Sequence, residues 1–221
     1  MCGRIAQTRI IQDLTQLFGL HHGQECMSDF ATSYNVAPGT DITVLLINRG
    51  GNKSWSTLKW GIMPEWVKTK RSVINARAET VHQKPMFKNA LHQRRILIPV
   101  TAYYEWRPVA NSKQPYCIRK RNGTPLLLAG LYTDNECAII TRPAHQDIEF
   151  IHNRMPVIID EQEAELYLDR EDLAYEMLMH NNDYLSLDVY PVTKKIGNPI
   201  FDEPLCLEPI DLDGSNFEWT F

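Results

Sequence analysis

Apolar residues near the start fall at Ile10, Ile11, Leu14, Leu17 and Phe18, a spacing that collects them on one face of a helix. Thr8 before them suits an N-cap and Gly19 after them a C′ position, so a core-facing helix is predicted there. The period then shortens. Tyr34-Asn35-Val36-Ala37-Pro38-Gly39 reads as a turn leading into a strand over 42–48. Arg49-Gly50-Gly51-Asn52 reads as a hairpin turn, and 55–60 as the returning strand. Trp60-Gly61-Ile62-Met63-Pro64-Glu65-Trp66 follows as an aromatic loop. Further strands are predicted over 73–77, 95–100, 103–107, 116–119, 126–132, 138–141 and 188–193, and helices over 86–93, 160–167 and 169–180. The last twenty residues, 202–221, hold six acids and no bases and read as a solvent-facing tail.

Side-chain direction sharpens two of these strands. Successive strand residues point to opposite faces, so Asn75 and Arg77 project together. On the second strand Tyr103, Glu105 and Arg107 share one face, with Tyr104 and Trp106 on the other. A carboxylate among aromatics is expected to have its pKa raised by desolvation, which makes Glu105 a candidate general acid or base. The polar loop Ile151-His152-Asn153-Arg154-Met155-Pro156 lies between apolar runs, and its histidine, beside an arginine, is a candidate titrating group near a phosphate.

Composition adds limits. The chain of 221 residues is 43% hydrophobic, enough to bury one sizeable core, and no linker divides it, so residues 1–221 are expected to form a single domain. Five cysteines at 2, 26, 117, 137 and 206 include no C-x-x-C pair and make an odd count, which points to neither a zinc ribbon nor a disulfide framework. His21, His22 and Cys26 suit a metal by type, but nothing nearby completes a site. No leader or membrane-length apolar run is present, so a cytoplasmic protein is expected. Neither a P-loop nor a dinucleotide fingerprint occurs, and no cofactor is indicated.

The net charge is −4, which taken globally disfavours a polyanion. Its distribution does not. Between Trp66 and Arg95 stand eight bases (Lys68, Lys70, Arg71, Arg77, Lys84, Lys88, Arg94 and Arg95) and one acid, Glu79, a local +7 that leaves −11 elsewhere. Such asymmetry is the footprint of a surface that docks phosphates.

The chemistry-bearing stretch is Met1-Cys2-Gly3-Arg4. Removal of Met1 would leave Cys2 with a thiol and a free α-amine on one Cα. An aldehyde can form a Schiff base with that amine, and the thiol can close on the imine carbon to give a thiazolidine, an intramolecular and therefore fast step. Reference pKa values of about 7.7–8.0 for the amine and about 8.5 for the thiol leave part of each nucleophile unprotonated near neutrality. Gly3 lets the backbone approach a ligand, and Arg4 offers a planar cationic fork.

Taken together, Met1-Cys2-Gly3-Arg4, Tyr34-Asn35-Val36-Ala37-Pro38, Trp60-Gly61, Ile74-Asn75-Ala76-Arg77-Ala78-Glu79-Thr80, Tyr104-Glu105-Trp106 and Ile151-His152-Asn153-Arg154-Met155-Pro156 resemble the SOS-response-associated peptidase family over nearly the whole chain. The resemblance implies an α+β fold around a twisted, barrel-like antiparallel β-sheet with a few flanking helices and a positively charged DNA channel. It implies that mature Cys2 links covalently to the ring-opened aldehyde of an abasic site in single-stranded DNA. It assigns Asn75, Glu105 and His152 to positioning and protonating the sugar, and Arg4, Asn35, Trp66, Arg77, Trp106 and Arg154 to DNA contacts, with no metal. A monomer serving an unidentified replication partner is expected. Three other readings stay open on the residues alone: an N-terminal-Cys hydrolase of the class II glutamine amidotransferase kind, an autoprocessing peptidase, and a non-covalent single-strand binder.

Overall fold

The computed structural model describes residues 2–8, 14, 18, 32–48, 50–64, 71–179 and 186–212. Its thirteen strands are β1 (Ile5–Gln7), β2 (Ser33–Val36), β3 (Asp41–Ile47), β4 (Lys53–Trp60), β5 (Asn75–Arg77), β6 (Arg95–Val100), β7 (Ala102–Val109), β8 (Ser112–Lys120), β9 (Leu126–Thr133), β10 (Glu136–Pro143), β11 (Arg154–Pro156), β12 (Ile158–Ile159) and β13 (Leu187–Pro191). Between them lie helices α1 (Ala78–Val81), α2 (Pro85–Gln93), α3 (Gln146–Glu149), α4 (Ala164–Asp169) and α5 (Glu171–Met179). This is an α+β fold.

Pairings β10–β4, β4–β3, β3–β6, β6–β9 and β9–β10 return to their starting strand, so these five close into a barrel and leave no open edge. Within this ring only β10 with β4 runs parallel, and β5 adds a second parallel partner to β10. A separate five-stranded sheet, in the order β13-β8-β7-β1-β2, covers one side.

Strands β6 and β9 are buried on both faces. Ile96, Ile98 and Leu128 pack toward the five-stranded sheet with Ile5, Tyr103 and Ile118. Leu97, Leu127 and Leu131 pack toward Phe87, Ala90, Tyr167 and Leu178 on the helices. That is why 95–100 and 126–132 read as continuous apolar runs rather than alternations. Burial of each such Leu or Ile contributes about 1.5–3 kcal/mol against roughly 0.5–1.5 for a ladder hydrogen bond, so packing dominates here. Gly130 fits the same crowding, since a Cβ there would meet Ile96 and Ile98 at 2.9 Å.

Most predicted strands and the helices at 86–93 and 169–180 are present with ends shifted by a few residues. The helix predicted near the start falls largely outside the described residues; Leu14 and Phe18 are buried and joined by an N–H to C=O bond of 3.0 Å. Residues 34–36, read as turn, belong to β2, because pairing with β1 overrides the local turn signal. The acidic end needs a larger correction over residues 202–212; residues 213–221 lie outside the described residues. Residues 193–207 wrap the outer face of the five-stranded sheet, where Ile196, Cys206, Phe201 and Leu207 pack with Tyr104 and Tyr190. The Tyr190 hydroxyl donates to the Leu207 carbonyl at 2.9 Å. The acids there are outward-facing residues of a packed strap, not of a free tail.

Candidate active site and nucleic-acid interface

Cys2 precedes β1 and is fully buried. Its carbonyl accepts a 2.8 Å hydrogen bond from Asn75 Nδ2, and two residues later the Tyr104 N–H donates to the Arg4 carbonyl at 3.0 Å. The N-terminal stretch is thereby stitched to both sheets. Asn75 reaches it because Gly61, at φ +128°, turns the chain after β4; a Cβ there would strike Ser72 Oγ at 2.8 Å. Ile62 then bridges Val73 and delivers β5 beside β10. The Asn75 Oδ1 is buried without a hydrogen-bond partner, an acceptor left beside residue 2.

Glu105 lies on the β7 face shared with Tyr103, opposite Tyr116 of β8, and is buried. Burial first, and the Glu105 carboxylate second, push the Cys2 thiol well above its ordinary value. Burial, then Cys2 and Glu105, raise the Tyr103 phenol likewise, opposed by the Arg142 cation. Cys2 and Tyr103 thus both sense the Glu105 carboxylate, and Arg142 acts on Tyr103. Burial alone does not distinguish Cys2, since the Cys117 and Cys137 thiols are also pushed up, to about 12. A carboxylate neighbour does not either, since Asp188 and Glu136 act on those two thiols; the Asn75 amide on the Cys2 carbonyl does.

The loop after α3 closes another side. Phe150 packs edge-on against Tyr116 with ring centroids 5.6 Å apart, and the Arg107 guanidinium lies 5.4 Å from the Phe150 centroid. Two residues on, His152 Nδ1 accepts the Arg154 N–H at 3.0 Å. In the neutral ring the proton therefore sits on Nε2. Arg154 makes a two-pronged pair with Glu79, at 2.5 and 3.1 Å, and donates to the Thr141 carbonyl at 2.6 Å. Burial works to raise the Glu79 carboxyl, but hydrogen bonds from Arg154 and the backbone, with the charges of Arg154 and Arg77, win and hold it below the usual range. Arg77, opposite Thr141 in the β5–β10 register, is exposed.

The remaining residues divide. Arg4 is only 8% exposed. It donates to Asn35 Oδ1 at 2.7 Å and to the Ile196 carbonyl at 2.8 Å, with its guanidinium 5.9 Å from the Trp106 centroid. Asn35 Nδ2 in turn meets the carbonyls of Ile196, Asn198 and Phe201 at 3.2, 3.0 and 2.6 Å. Arg4, Asn35 and Trp106 therefore form a cluster that ties the strap to the N-terminal strand, while Asn75 and Glu105 neighbour Cys2, and Arg77 shares Glu79 with Arg154 beside His152. Trp66, His21, His22 and Cys26 lie outside the described residues. Of the basic segment, Arg95 is internal: it donates to the carbonyls of Leu91, His92, Tyr167 and Leu168 and so caps the C-terminal ends of α2 and α4.

The sequence pattern did not single out Tyr103, Thr141, Arg142 or the Glu79 partnership. Glu79 alone carried a signal, as the one acid in a stretch of eight bases. Among the described residues no cluster of three or more His, Cys, Asp or Glu is placed to hold a metal, and no helix is long and apolar enough to cross a membrane.

Comparison with known proteins gives the family and the fold. YoqW of Bacillus subtilis, named an abasic site processing protein, is 31% identical over 224 residues, spanning 94% of this chain and 99% of its own. YedK of Escherichia coli, named likewise, is 27% identical over 215 residues, spanning 90% and 95%. A crystal structure of a protein from Bacteroides thetaiotaomicron shares the fold with a TM-score of 0.80 at 21% identity, covering 95% of this chain and 100% of that one. The model of the SOS response associated peptidase (SRAP) family matches residues 1–199, and the chain belongs to that family.

Proposed function

We propose that this protein recognises abasic sites in single-stranded DNA and seals them through a covalent link to mature Cys2. The observation that carries the reading is the convergence of Asn75 and Glu105 on Cys2; family membership and the names of the relatives support the substrate. Once Met1 is removed, by the protein itself or by an aminopeptidase, the α-amine attacks the ring-opened aldehyde and water leaves to give an imine. The thiol then adds across the C=N bond: sulfur bonds to carbon, and the thiol proton passes to nitrogen. A thiol held well above its ordinary pKa needs a nearby base for that step, and Glu105 is placed to relay the proton. His152 serves ring opening of the closed sugar, Asn75 holds the sugar or aldehyde oxygen, and Arg77 offers an exposed cation for the backbone. Because the free aldehyde is consumed, the α-hydrogen loses the acidity that permits β-elimination, and the strand is protected. We take the chain to act as one domain and as a monomer, in the cytoplasm.

The deciding experiment incubates purified protein lacking Met1 with an abasic-site oligonucleotide and takes an intact mass. The expected product is protein plus DNA minus one water, stable to heat. No adduct would sink the covalent reading in favour of a non-covalent binder, and an unchanged yield with Cys2→Ala would remove the thiol from the link. Release of ammonia from glutamine would point to a hydrolase.

A further inference from the structure

Two clefts flank helix α2 and share Pro85 and Met86 as a common saddle. The first, of about 730 Å³, begins at Asn75 and Arg77 and takes in Thr80, Lys84 and Phe87. The second, of about 590 Å³, continues past Asn89 to His92, Arg94 and Glu171. The two clefts meet at Pro85 and Met86 and so lead from the amide that touches Cys2 to the far end of α2; Lys84 lines the first, and Lys88 stands one turn on, outside both linings. The helix contains no acid. Lys84, Lys88 and His92 stand at i, i+4 and i+8, one above another on one stripe about 6 Å apart, close to the separation of successive phosphates in an extended strand. Lys84 and Lys88 are exposed, and among the described residues neither is in an ion pair. The stripe ends differently: His92 Nδ1 lies 2.6 Å from Glu171 Oε1, and Arg94 is 3.7 Å from Asp134. Those acids neutralise the far end and make it unfavourable to a polyanion.

We propose that α2 carries the single strand away from the lesion on one side, with Lys84 and Lys88 each neutralising one flanking phosphate and Glu171 marking where the footprint stops. This rests on the reading of the protein as a single-strand binder and extends it to the path and length of the strand.

The test uses abasic oligonucleotides lengthened separately on the 5′ and the 3′ side. Affinity should rise over the first two nucleotides added on one side and then level off. Lys84→Ala/Lys88→Ala should abolish that gain while leaving the gain from the opposite side. Its salt slope should fall by about 1.4, at about 0.7 per phosphate, which makes it about 25-fold weaker than the parent at 0.1 M salt if the two converge at 1 M. Glu171→Gln should move the levelling point outward. Equal losses from both series, or an unchanged slope, would overturn the path. If no abasic strand forms an adduct and yet the one-sided dependence persists on undamaged strands, the path is upheld and the covalent chemistry is refuted.

Discussion

Asn75 Nδ2 donates to the carbonyl of Cys2 across 73 residues of sequence at 2.8 Å. This bond sets where the N-terminal nucleophile sits relative to β5, because residues 2–4 belong to no element of their own. Asn75→Ala should slow adduct formation at saturating DNA by about 10²-fold, the loss expected for a nucleophile displaced by about 1 Å. Asn75→Asp, which cannot donate, should be as slow. Single-turnover time courses would check this, and an Asp variant at wild-type rate would remove Asn75 from the positioning role.

The environment of Cys2 sets the pH dependence of its thiol. Its pKa is raised by burial and by Glu105, so the thiolate appears only above the ordinary range of about 8.5. Alkylation by iodoacetamide of protein that retains Met1 should be slow and show no inflection between pH 7 and 9. Glu105→Gln should lower the midpoint, because the like charge is gone. An inflection near 8.5 in the parent protein would show that the thiol is neither buried nor sensing a carboxylate.

His152 and Glu105 occupy separate elements and should fail at different steps. His152→Ala should slow adduct formation, and a substrate supplied as the open aldehyde should restore much of the rate. Glu105→Gln should stay slow on the same substrate, since proton transfer at the imine and sulfur is still impaired. General acid–base catalysis supplies about 10²–10⁴-fold, so both defects are measurable. Equal rescue of the two would mean that they act as one unit.

The Glu79–Arg154 pair responds to acid in a defined direction. The Glu79 pKa is lowered in the folded protein, so its contribution is present above the unfolded value of about 4.3 and is lost as pH falls through the folded value. Melting temperature should therefore drop more steeply below about pH 4.3 in the parent than in Glu79→Gln, which has already lost the charge. Parallel curves would be evidence against the pair.

Arg4 and Asn35 should report on stability as much as on DNA. Asn35→Ala leaves the Ile196, Asn198 and Phe201 carbonyls and the buried Arg4 short of partners, a loss of about 1–3 kcal/mol. Denaturant melts should show that loss, and proteolysis should cut first within 193–207. Undiminished stability, with DNA affinity lost instead, would return both residues to the phosphate-contacting role that the resemblance implies.

Much of this was legible in the chain before folding. Local signals act over a few residues, so the strand runs at 95–100 and 126–132, the helix at 86–93 and the hairpin after Ile47 could be read from pattern and turn chemistry. The Cys2 chemistry follows from residue type and place in the chain, and the alternation that puts Tyr103 with Glu105 follows from strand geometry. Tertiary structure decided the rest. Closure of the barrel through β10 rests on pairings between segments tens of residues apart. Burial of Arg4 under the strap depends on the Ile196 carbonyl, 192 residues away. Arg95, one of eight bases by count, became a helix cap because four carbonyls converge on it. Arg154 became the partner of Glu79 because β10 sets both beside Thr141. Charge and type belong to a residue, but burial and partners belong to the fold, and those determine which cations remain available to a phosphate.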